Sequence, residues 1–241
     1  MPSDTIDENP TAPAAPEADA AGSRRLARLV WQVALAAVLV LLVRAFLLET
    51  FYVPSGSMEP TVNPGDRVVV DRLHGSADLA RGDVVVFDGT QVFGGPDLSP
   101  PQASGFVGST LHGVARALGL DLGEKDYLKR VIGLPGDHVV CCTADGRLSI
   151  NGAAVTEPYL PAGMPASEVT FDLVIPADRL FVLGDNRADS ADSRAHLGDP
   201  GGGMVPLEDV IGQAVLRYWP LSQVGSLPST TAFLDVPKAS S

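Results

Sequence analysis

The run from Leu29 to Leu48 constrains this chain more than any other stretch, being twenty residues broken only by Gln32 and Arg44. As a helix rising 1.5 Å per residue it would span about 30 Å, the thickness of a bilayer's hydrocarbon core. Arg44 lies close enough to the end for its long stem to reach the interface. Arg24, Arg25 and Arg28 crowd the preceding end and Glu49 follows the run. Basic residues on the first side predict a cytoplasmic N-terminus and an extracytoplasmic remainder, so a single-pass cell-membrane anchor is expected over residues 24–48. The competing reading is a cleavable signal peptide with Leu29 to Val43 as its apolar core. That reading needs small residues at alternate positions after the core, where this chain has Phe46, Leu47, Leu48, Phe51 and Tyr52. The bulk favours a retained anchor.

Residues 1–23 are rich in Ala, Pro, Asp and Glu and lack aromatics, so a disordered cytoplasmic tail is expected there. The whole chain has 29 acidic and 17 basic residues; without the tail's five acids and the four arginines through Arg44, 24 and 13 remain. An acidic outer part argues against a nucleic-acid partner. Cys141 and Cys142 are adjacent, and neighbouring Cα atoms about 3.8 Å apart fall short of the roughly 4.4–6.8 Å of an ordinary disulfide. Two unbridged small side chains are the favoured reading, with a strained vicinal bridge as the alternative. The four histidines are dispersed, with no metal-ligand spacing.

Beyond the anchor, short β-branched runs recur between turn signals: 67–70, 83–87, 127–132, 138–142, 148–150, 169–175, 180–183 and 210–218. Asn63-Pro64-Gly65-Asp66, Leu134-Pro135-Gly136-Asp137 and Asn151-Gly152 punctuate them. The pattern predicts a mainly β, antiparallel domain over residues 49–228, followed by a C-terminal tail, 229–241. Residues 89–124 break the pattern and read as an insertion, with Ser109-Thr110 capping a short helix.

Ser57 lies nine positions after Leu48, in Pro54-Ser55-Gly56-Ser57-Met58-Glu59-Pro60-Thr61. Nine extended residues reach at most about 30 Å, so chemistry at Ser57 would occur near the bilayer. A serine nucleophile needs a base, and no histidine sits in a segment built for the role. Lys129, in Tyr127-Leu128-Lys129-Arg130-Val131, is the better candidate. Strand alternation puts it on one face with Tyr127 and Val131, and Arg130 on the other. An ordinary lysine pKa near 10.4 must fall by roughly three units for base action near neutrality, a shift that apolar burial can supply. The plain alternative is a lysine on an ordinary strand.

Four segments together resemble the signature boxes of the bacterial type I signal peptidases: Ser55–Thr61, Arg81–Phe87, Lys129–Asp137 and Gly184–Arg194. With the anchor and the segment Glu157–Leu160, the resemblance runs from about residue 25 to Pro220. It implies an antiparallel β-sheet catalytic domain carrying an inserted β subdomain behind one N-terminal transmembrane helix. It implies Ser57 as nucleophile, Lys129 as general base, and Ser55 with the Ser57 N–H as oxyanion hole. Ser190 would hold the Lys129 amine, Asp192 and Arg194 would pair, Asp185 would support the same loop, and Met58 would help shape a shallow substrate pocket. The implied activity is a membrane-bound serine endopeptidase that cuts exported preproteins after small residues, without metal or organic cofactor, against the bilayer and close to the secretion translocon. A relative dedicated to one secreted substrate, and a membrane-held β-domain that binds preproteins without cutting, are the alternatives. Ala188-Asp189 departs from the longer polar side chain of many relatives, and the 89–124 insertion matches no box.

Overall fold

The computed structural model of the chain describes residues 18–46, 48–73, 78–94, 126–228 and 230–239. It divides into two units, Met1–Val43 and Arg44–Ser241. Helix α1 (Ala18–Phe46) is built from a run rich in the strong helix formers Ala and Leu, free of proline and with Gly22 alone as a weak point. Every described side chain from Arg24 to Val40 on it is exposed. Among the described residues no helix is long and apolar enough to cross a membrane. The expected span continues into residues 41–48, whose side chains lie outside the described set, as does all of the expected tail before Ala18.

The second unit holds two antiparallel sheets. The larger uses β1 (Leu48–Tyr52), β2 (Arg67–Asp71), β3 (Val84–Asp88), β4 (Asp126–Gly133), β9 (Arg179–Leu183), β10 (Val205–Pro206), β11 (Val210–Trp219) and β12 (Gly225–Ser226). Their order is β1-β2-β11-β3-β4-β9-β10, with β12 paired to β11. The smaller sheet, in the order β7-β6-β5-β8, is formed by β5 (His138–Cys141), β6 (Leu148–Ile150), β7 (Ala153–Val155) and β8 (Phe171–Val174). It is one continuous segment inserted between β4 and β9, the β subdomain that the sequence resemblance implies.

Local chemistry explains these elements. On β2 burial alternates, with Val68 and Val70 inward. On β3 all four of Val84–Phe87 are buried, because one apolar cluster covers Val84 and Val86 and another covers Val85 and Phe87. A strand covered on both faces reads as a continuous apolar run. Asn151 and Gly152 both have positive φ and close the β6–β7 hairpin, as a two-residue primed turn requires. A third cluster joins the sheets, where Phe181 of β9 meets Phe171 of β8 with ring centroids 5.1 Å apart.

Four features depart from the sequence expectation or extend it. Strand β1 starts at Leu48, where the anchor was expected to end, and pairs along its length with β2. The apolar run before it hides the alternation of Phe51 inward and Tyr52 outward. Cys141 and Cys142 are joined by a disulfide, the alternative that the sequence left open and not the unbridged pair it favoured. Segment 229–241, expected as a tail, is anchored over its described part by Phe233, only 6% exposed, while Leu234 beside it is 78% exposed. Of the 89–124 insertion only residues 89–94 are described: Val92 and Phe93 are buried there, and Phe93 sits edge-on to Phe87 and Tyr127.

Replacing Phe181 by Ala empties the junction between the sheets and is expected to cost about 3–5 kcal/mol in urea unfolding. A loss below about 1 kcal/mol would place the load of that junction elsewhere.

Candidate active site

Ser57 follows β1 in a compact turn. Glu59 N donates to Gly56 O at 3.1 Å and Val62 N to Met58 O at 3.0 Å. Met58 and Val62, 1% and 0% exposed, pin this turn into the core beside Phe51. Met58, expected at a substrate pocket, thus has its side chain in the core. Strand β4 carries Lys129 towards the turn. Lys129 Nζ is 2.6 Å from Ser57 Oγ and 3.1 Å from Leu128 O, with the Tyr127 ring 5.9 Å away on the same strand face. Both Ser57 and Lys129 are buried.

Burial pulls the Lys129 pKa from 10.5 down to about 8, against the opposing charges of Asp192 and Asp185. The amine is therefore part neutral near pH 8, able to accept the Ser57 proton, and a neighbouring base is what makes a serine nucleophilic. Ser55 is exposed, its Oγ 3.4 Å from Ser57 Oγ.

The loop after β9 clamps the Ser57 turn. Asn186 N donates to Ser57 O and Asn186 Nδ2 to Gly56 O, each at 3.1 Å. Gly184 must lack a side chain, since a Cβ there would strike Ser57 O and Ser190 Oγ. Asp185 receives Arg130 Nε at 2.8 Å, Arg130 Nη2 at 2.5 Å and the Thr61 hydroxyl at 2.5 Å. Asp192 receives Gly184 N at 3.0 Å and Arg194 through Nε at 2.9 Å and Nη2 at 2.7 Å. Burial pushes the Asp192 carboxyl up, but Arg194 and the Gly184 N–H outweigh it and hold the pKa below the ordinary value. Asp185, Asp192 and Arg194 are thus together around Gly184. Ser190 Oγ is buried there without a hydrogen bond of good geometry among the described residues.

Sequence reasoning gave Arg130 no role beyond its failure as a base, and gave Thr61, Asn186 and Arg187 none. Arg187 pairs with Glu157 through Nη1 at 3.0 Å and Nη2 at 2.5 Å, and donates to Gly184 O and Ala166 O. Arg130 lies 4.1 Å under the Tyr159 ring, whose hydroxyl donates to Glu157. The signal available was the Lys129-Arg130 pair itself: alternation sends one cation to each face of a central strand, so Arg130 needs a buried acid. Among the described residues no group of three or more His, Cys, Asp or Glu is arranged to hold a metal ion.

A buried amine against a serine hydroxyl on an antiparallel β scaffold defines a serine-hydrolase type of site. Residues 26–219 match the family described as signal peptidase, peptidase S26. Signal peptidase I of Mycobacterium tuberculosis is 36% identical over 225 residues, covering 81% of this chain and 73% of that protein. The probable signal peptidase I-2 of Synechocystis is 34% identical over 193 residues, covering 80% and 72%. A crystal structure of a signal peptidase I from Enterococcus faecalis covers 56% of this chain and 95% of its own at 24% identity, with a TM-score of 0.36 too low to bear on the fold. The chain belongs to the signal peptidase family, peptidase S26, and is a serine endopeptidase.

Lys129 releases its proton near pH 8 when folded and near 10.5 when unfolded, so the unfolded chain binds more protons between these values and stability rises with pH there. Below pH 8 the buried charge opposes folding. Lys129→Met should therefore stabilise the domain at pH 6, by up to about 3 kcal/mol, with the gain shrinking as pH climbs towards 10.5. Equal stabilisation at both ends of that range would contradict the lowered pKa.

Proposed function

We propose that this chain removes N-terminal signal peptides from exported preproteins, cutting after small residues with Ser57 as nucleophile and Lys129 as general base. The observation that carries the reading is the 2.6 Å approach of a buried, pKa-lowered amine to a buried serine hydroxyl. Ser57 Oγ attacks the scissile carbonyl carbon while its proton passes to Lys129 Nζ. The carbonyl oxygen becomes an oxyanion that accepts from Ser55 Oγ and the Ser57 N–H, donors that act most strongly in the transition state. Collapse of the intermediate breaks the C–N bond, and Lys129 returns the proton to the departing amine of the mature protein. Water then attacks the acyl-serine with Lys129 again as base, and the signal peptide leaves with a free carboxylate. Ser190, beside Gly184, is proposed to steady the amine during these transfers.

The membrane setting rests on the Leu29–Leu48 run and on exposed apolar side chains of the catalytic unit. Tyr52, Arg67 and Trp219 are neighbours across three strands, and Leu221 and Val224 follow with more than half their surface exposed. Aromatic and basic side chains beside aliphatic ones suit a lipid interface. A tethered enzyme meets a membrane-held substrate at raised effective concentration.

Ser57→Ala and Lys129→Ala should each lower cleavage of a preprotein in liposomes on the order of 10⁴-fold while leaving the domain folded. Lys129→Arg should be as inactive, because a guanidinium does not deprotonate. Substantial turnover by either lysine variant would remove Lys129 as the base. Leu221→Glu should slow cleavage of membrane-held preprotein yet spare a short soluble peptide, and equal loss on both would separate this surface from the bilayer.

A further inference from the structure

The last described segment, Thr230–Ala239, lies beyond the 26–219 match and is fastened at three points to the rest of the catalytic unit. Phe233 is buried in the cluster that joins the two sheets. A Cβ on Gly82 would collide with Thr230 Cγ2 at 2.5 Å and come within a tight 3.0 Å of the Phe233 ring. Pro237 O accepts Arg81 Nη2 at 3.2 Å from one side and Asn151 Nδ2 at 2.8 Å, from the β6–β7 turn, on the other. Arg81 and Asn151 both also bind Asp137, through Arg81 Nε at 2.7 Å, Arg81 Nη2 at 2.6 Å and Asn151 Nδ2 at 2.9 Å.

What lies under this segment is the edge of the site. The Arg81–Asp83 turn is tied to β4 from both directions: Gly82 N donates to Val131 O at 2.7 Å and Val131 N to Asp83 O at 2.8 Å. Gly82 O accepts Arg130 Nη1 at 2.7 Å, and the same guanidinium holds Asp185. Lys129 precedes Arg130 on that strand. The segment presses the turn, the turn holds β4 and Arg130, and β4 presents the amine.

We propose that Thr230–Ala239 is a positioning strap for the Ser57/Lys129 site, with Phe233 the side chain that seats the Arg81–Asp83 turn against β4. The inference rests on the reading of Ser57 and Lys129 as the reacting pair. The strap touches no reacting atom; it acts by setting the distance and angle between the amine and the hydroxyl. Sub-ångström looseness there falls on the rate of the chemical step and leaves substrate contacts in place.

The test uses two variants: a chain ending at Pro228, and Phe233→Ala in the whole chain. Steady-state cleavage of a preprotein is measured well below each variant's unfolding midpoint, with near-ultraviolet circular dichroism confirming the fold. The expected result is a kcat lowered on the order of tenfold or more with KM unchanged, since misplacement at a distance falls on the chemical step. Phe233→Leu should keep most of the rate, and a synthetic peptide of residues 229–241 should restore kcat to the shortened chain. Either folded variant turning over at the wild-type kcat would overturn the strap. Ser57→Ala and Lys129→Ala in the whole chain are run alongside. If those are inactive while the strap variants are unimpaired, the strap alone fails. If those stay active, the site reading fails whatever the strap variants do.

Discussion

The structure depends on an uncompensated lysine. Lys129 is enclosed against Tyr127 and the Leu128 carbonyl, with no carboxylate among the described residues in direct contact, and desolvation is the largest influence on its pKa. Asp185 and Asp192 are near enough to act on it and both raise its pKa, without outweighing burial. Each is committed elsewhere, Asp185 to Arg130 and Asp192 to Arg194, with hydrogen bonds from Thr61 and Gly184 taking further lone pairs.

Buried ion pairs are costly to desolvate and weak evidence of stability in themselves. Here they fix relative positions. Arg130 links β4 to the loop after β9 and stacks on Tyr159; Tyr159 and Arg187 meet on Glu157 in the inserted segment; Arg187 and Arg194 tie that loop's backbone. The network runs from the nucleophile turn through β4 into the segment that carries the smaller sheet. Breaking any member leaves a buried charge unpaired, so the loop has few alternative arrangements.

The sheets were largely legible from β-branched runs and turn dipeptides, because strands on a covered sheet keep their period in the sequence. The face of Lys129 followed from the same alternation. Other features were not legible for identifiable reasons. Strand β1 adjoins an apolar run with no period of two. The adjacency of Cys141 and Cys142 in sequence leaves open whether their sulfurs are joined. The packing of Phe233 depends on Gly82, some 150 positions earlier, and no local pattern links the two. Arg130 and Asp185 each carry an ordinary charge in sequence, and only the fold makes them partners.

The central claim is that Lys129 is neutral enough near physiological pH to act as a base because the fold buries it. The chain has only three lysines, Lys125, Lys129 and Lys238, so a titration of their side-chain amines by nuclear magnetic resonance, assigned with Lys129→Met, isolates the one that matters. In folded Ser57→Ala enzyme, the Lys129 amine should titrate near pH 8, well below the ordinary lysine value of 10.5. A midpoint for Lys129 at the ordinary value of 10.5 in folded protein would contradict the account.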